Sequence, residues 1–78
     1  IKRTGYTRIM RNCLIAAGFS GDKTLIKNVK KFIISENTLL RGASIWSLRQ
    51  LMTADEFAIL KNKNIALEKE SDVKKEWI

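Results

Sequence analysis

The chain has 78 residues, 45% hydrophobic and 29% charged, which suits one small globular domain and not a disordered tail. It contains no His and a single thiol, Cys13, so a thiolate–imidazole zinc site, an iron–sulfur cluster or a histidine acid–base centre cannot be assembled from this chain alone. Of the net charge of +7, residues 1–52 carry +8 (ten basic and two acidic side chains) and residues 53–78 carry −1 (five basic and six acidic), and this asymmetry favours an anionic partner for the first half, nucleic acid before a membrane surface.

No run of 18 or more apolar residues encodes a membrane span, and the opening Ile1-Lys2-Arg3-Thr4-Gly5-Tyr6 lacks the apolar core of a signal peptide. One unpaired Cys fits a reducing cytosol, so a cytoplasmic, monomeric protein is expected. The first residue is Ile and not Met, and residues 1–10 read as a pattern already under way. The expectation is one domain over 1–78, a C-terminal piece of a longer protein.

In chain order, Tyr6, Ile9, Met10, Cys13, Leu14 and Ala17 recur at steps of three and four and predict a helix with one buried stripe. Gly18 is the expected stop, because Gly tolerates the left-handed conformation at a helix C-terminus. Residues 18–22 then read as a tight turn, with Ser20 or Asp22 capping the second helix. Leu25, Ile26, Val29, Phe32 and Ile33 predict that second helix over 23–34, with Lys23, Lys27, Lys30 and Lys31 mostly off its apolar face. After the polar break 35–38, residues 38–51 predict a third helix, apolar around its girth and therefore covered on two sides. Thr53-Ala54-Asp55-Glu56 is a capping box and starts a fourth helix, which Asn62 and Asn64 weaken near Lys63. Residues 71–78 predict the beginning of a fifth.

Residues 7–18 align with 37–48 at an offset of 30, both reading apolar-Arg-small before a run of small and apolar residues. Val73-Lys74 repeats the apolar-basic step another 33 residues on. A period near 30 with two helices per unit predicts an all-α, α-solenoid fragment of about two helical hairpins plus the start of a third.

These blocks carry a resemblance. Arg8-Ile9-Met10-Arg11-Asn12-Cys13-Leu14 through Gly18, then Ser20-Gly21-Asp22, then Leu40-Arg41-Gly42-Ala43-Ser44-Ile45-Trp46, then Glu56-Phe57 and Asp72-Val73-Lys74-Lys75-Glu76-Trp77, resemble in order and spacing the HEAT-like C-terminal region of bacterial epoxyqueuosine reductases. The resemblance covers nearly the whole chain. It implies HEAT-like repeats that help grip the tRNA anticodon stem-loop. The parent enzyme would reduce epoxyqueuosine to queuosine in tRNA, with cobalamin and two 4Fe-4S clusters held by an N-terminal catalytic region. This chain would then hold no cofactor, no metal and no catalytic residue. Phe19 departs from the family's pattern, which expects a small polar residue in that turn.

Lys2, Arg3, Arg8, Arg11, Asn12 and Arg41 are the candidate RNA-binding residues. Arg8 and Arg11, one helical turn apart with Asn12 beside them, can fork onto consecutive phosphates. The structural alternative pairs each Arg with a carboxylate, Asp22 and Glu36 being the obvious partners. The four lysines of 23–31 read as a solvated face or as a phosphate track. Trp46 reads as core between repeat units or as a platform for a base. Cys13 reads as a buried small hydrophobe, Trp77 as packing, and the carboxylates of 68–76 as a solvated end. A reading from another class is a HEAT-like scaffold docking an acidic protein partner through an exposed apolar groove.

Overall fold

The computed structural model describes residues 3–78, and among them every regular element is helical. α1 spans Arg3–Ser20, α2 Ile26–Lys30, α3 Thr38–Leu51, α4 Ala54–Asn64 and α5 Ser71–Trp77. Short 3₁₀ turns at Lys23–Leu25, Lys31–Ile34 and Ile65–Leu67 link them. The expected single helix over 23–34 is thus broken into turn, helix and turn.

α1 does not stop at Gly18. It continues to Ser20, and the chain reverses at Gly21, whose φ of 70° lies in the left-handed region. The Ser20 hydroxyl donates to the Ala17 carbonyl at 2.6 Å and accepts the Asp22 amide at 3.1 Å. Asp22 in turn accepts from the Thr24 amide and hydroxyl, capping the next turn. Gly18 serves the helix crossing instead. A Cβ there would lie 2.6 Å from Trp46 Cζ3 and 3.1 Å from Ser47 Cα, so only Gly lets α1 approach α3 this closely.

The crossing also selects which part of the α1 stripe is buried. Leu14 and Gly18 are buried, and Met10 and Ala17 pack partly against the core. Tyr6 and Ile9 stay half-exposed, and Cys13, expected inside, is exposed. The predicted stripe is wider than the arc that α3 covers.

α3 forms the centre. Asn37 caps it by accepting from the amides of Leu39 and Leu40. Leu40, Ser44, Ile45, Ser47, Leu48 and Leu51 are buried, because α1, α2 and α5 all pack against this helix. α4 begins at the capping box, with Glu56 N–H donating to Thr53 Oγ1 at 3.2 Å and Thr53 N–H donating to Glu56 Oε1 at 3.0 Å. It ends at Asn64, whose side chain donates back to the Leu60 carbonyl. Phe57 and Leu60 of α4 and Val73 and Trp77 of α5 complete the core, with the Phe57 and Trp77 rings 5.6 Å apart. The Cα atoms span 38 × 29 × 16 Å.

Candidate nucleic-acid interface

The expected phosphate contacts begin on α1. Its length and lack of an internal break hold Arg8, Arg11 and Asn12 on consecutive turns, and all three are exposed. Among the described residues neither Arg8 nor Arg11 forms an ion pair or a side-chain hydrogen bond. Arg11 borders a cleft of about 320 Å³ where α1 meets α3, with Phe19 and Trp46 in its wall and Glu76 at its far edge. Lys2 lies outside the described residues. Arg3 falls in the first turn of α1, and its side chain lies outside them too.

Arg41 makes the pairing that the structural alternative describes. Its Nε donates to Glu68 Oε1 and its Nη2 to Glu68 Oε2, both at 2.8 Å, while Nη1 donates to the Ser35 carbonyl at 2.8 Å. This bidentate fork occupies the donors a phosphate would need. The partner is neither Asp22 nor Glu36. Asp22 is engaged with Thr24, and its carboxyl is held below the usual range first by the Thr24 hydroxyl and then by the Thr24 amide. Glu68, expected at a solvated end, is buried, and the Arg41 guanidinium is the main reason its carboxyl sits below the ordinary value. It also accepts from the Glu70 amide at 3.1 Å. No sequence signal marks this pair, which joins residues 27 apart.

The four lysines of 23–31 are all exposed. Lys23 and Lys30 lie near enough to α4 to help depress the Glu56 carboxyl, a minor contribution beside the Thr53 amide and hydroxyl. Trp46 is half-buried and meets Phe19 edge to face, ring centroids 5.1 Å apart. Phe19 is 77% exposed, so it covers the Trp46 ring from the last turn of α1 and not from within a loop. Trp77 is core. Arg49, which sequence reasoning passed over, lies 5.1 Å above the Phe57 ring and donates to the Glu76 carbonyl, a structural role.

Among the described residues, no group of three His, Cys, Asp or Glu side chains is placed to hold a metal ion, and no helix is long and apolar enough to cross a membrane. The single Cys13 thiol lies at the surface of α1, and one thiolate does not match the four-Cys donor set of an iron–sulfur cluster. No protein-family model, curated protein or solved structure matches the chain.

Proposed function

We propose that the chain is an RNA-gripping module of HEAT-like repeats, the C-terminal region of an epoxyqueuosine reductase, and that the Arg8–Arg11–Asn12 side of α1 holds phosphates of the tRNA anticodon stem-loop. The observation that carries this reading is the contrast among the arginines. Arg41 is consumed by Glu68, whereas Arg8 and Arg11 are exposed without ion-pair partners among the described residues, in the first two-thirds of the chain, which carry +8. Two guanidiniums one turn apart, with the Asn12 amide beside them, match the spacing and donor geometry of adjacent phosphates. Binding by such a surface draws its free energy largely from released counterions and reads shape more than sequence.

The repeat reading has its own support. Asn37 Nδ2 donates to Thr7 Oγ1 at 3.1 Å, joining two residues 30 apart that align with each other. The Arg41–Glu68 pair and the bond from Arg49 to the Glu76 carbonyl each span 27 residues. α1, α3 and α5 lie side by side in that order. The reduction itself would belong to other parts of the parent protein. Cobalamin and the two 4Fe-4S clusters would supply the electrons there, and this chain would orient and retain the tRNA.

The test is binding of a fluorescent anticodon stem-loop RNA at rising salt. Each phosphate contact contributes about 0.7–0.9 to the slope of log K against log salt, so Arg8→Ala/Arg11→Ala is expected to flatten it by about 1.4–1.8. An unchanged slope in the double variant, or no binding by the wild-type chain at low salt, would remove this assignment.

A further inference from the structure

We infer that the cleft where α1 meets α3 receives one unpaired guanine of a bound RNA strand, with the Phe19 and Trp46 rings against the base and the Glu76 carboxylate on its donor edge. The inference rests on the phosphate reading above and adds the base that this site would select. The cleft, of about 320 Å³, is bordered by Arg11 and Phe19 of α1, Ala43 and Trp46 of α3 and Glu76 of α5. Its size lies at the lower end of the range for small-ligand sites, about 300–1,000 Å³.

The wall is aromatic and open. Phe19 meets Trp46 edge to face, yet it is 77% exposed and Trp46 is only half-buried. So exposed a ring contributes little burial to the fold. Its free surface suits an unpaired base, which stacks on aromatic side chains once it is splayed out of a helix.

Two charges flank the rings, and the fold uses neither. Arg11 is exposed and forms no ion pair among the described residues. Glu76 is half-buried, with its Cγ 3.8 Å from where a Cβ on Gly42 would stand, so its stem lies against α3. Its backbone carbonyl accepts from Arg49, but its carboxylate has no hydrogen bond or ion pair among the described residues. The two residues border one cleft without pairing with each other.

These charges give the ligand a direction. A phosphate belongs at Arg11, and Glu76 repels it, so the Glu76 end takes an uncharged group that brings donors. An ionised carboxylate can only accept. Adenine and cytosine present one amino group beside a ring acceptor, and uracil presents one N–H between two carbonyls. Guanine alone presents two adjacent donors, its N1–H and its 2-amino group, one for each carboxylate oxygen.

The test compares binding of the 78-residue chain to a short oligouridylate, to the same strand with one central guanine, and to that strand with inosine in place of guanine. Quenching of tryptophan emission reports binding, since Trp46 borders the cleft and Trp77 is core. The guanine strand is expected to bind about fivefold or more tighter than the oligouridylate. Inosine, which lacks the 2-amino group, is expected to lose most of that gain. Glu76→Gln is expected to abolish the guanine preference with the salt slope unchanged, and Phe19→Ala to weaken the guanine strand with the helical circular dichroism retained. Equal binding of the guanine strand and the oligouridylate, or a preference that survives Glu76→Gln, would overturn the inference. The phosphate reading would still stand if Arg8→Ala/Arg11→Ala flattened the salt slope of the stem-loop. A guanine preference beside an unaltered slope in that double variant would uphold the base site and remove the phosphate assignment alone. Guanosine 5′-monophosphate binding as tightly as the guanine strand would assign the cleft to a free nucleotide and overturn the strand reading.

Discussion

Gly18 and Gly42 sit inside helices, where Gly is intrinsically about 1 kcal/mol worse than Ala, yet they meet opposite surroundings. At Gly18 a Cβ would be driven into the Trp46 ring and the Ser47 backbone, at 2.6 and 3.1 Å. At Gly42 the nearest atom to a Cβ is Glu76 Cγ at 3.8 Å, an ordinary contact. Gly18→Ala is therefore expected to destabilise by about 1–3 kcal/mol through overpacking, and Gly42→Ala to stabilise by about 0.5–1 kcal/mol. Urea unfolding midpoints separate the two, and a stabilising Gly18→Ala would show that the crossing is not tight. Ser47 adds a second case at the same contact. Its hydroxyl is fully buried with no partner among the described residues, so Ser47→Ala is expected to be neutral or to stabilise by about 1 kcal/mol.

Between elements, the Arg41–Glu68 pair fastens α3 to the segment leading into α5. Both side chains are largely buried, at 17% and 7% exposure, so removing one strands the charge of the other. Arg41→Ala is expected to cost about 3 kcal/mol, read as a fall in thermal midpoint. The pair also sets a pH dependence. Glu68 has a lowered folded-state pKa, so its contribution is fully present above the unfolded value near 4.5 and is lost as pH falls through the lower folded value. Asp22 and Glu56 shift in the same direction from exposed caps. The thermal midpoint is thus expected to drop as pH falls from about 5 towards 3, and Glu68→Gln should flatten that drop in part. An identical pH profile in Glu68→Gln would show that the caps alone account for it.

At the scale of the molecule, α1 packs mainly against α3 and leaves Tyr6, Ile9 and Cys13 exposed. One side meets α3 and the other stays open. Leu14→Ala is therefore expected to lose about 2–5 kcal/mol, whereas Ile9→Gln, at an exposed position of the predicted stripe, should change stability by no more than about 0.5 kcal/mol. Equal losses in chemical denaturation would mean that α1 is covered on both sides in solution.

Much of this was legible in the sequence because it is local or compositional. The capping box at Thr53 and Glu56 needs only a three-residue spacing and is present as expected. The all-helical class comes from apolar steps of three and four with no Pro, and the absence of cluster-forming thiolates comes from a count. Three features were decided only by tertiary structure. Gly18 looked like a helix stop because Gly has the same local freedom in a turn and in a crossing, and only the approach of Trp46 distinguishes them. Cys13 looked buried because periodicity reports the width of an apolar stripe and not which arc a neighbour covers. Arg41 looked equivalent to Arg11 because aligned positions share a residue type, but a carboxylate 27 residues on reaches only one of them. Helix positions are set by interactions within a few residues; the angle and closeness of one helix on another are set by atoms far apart in the chain.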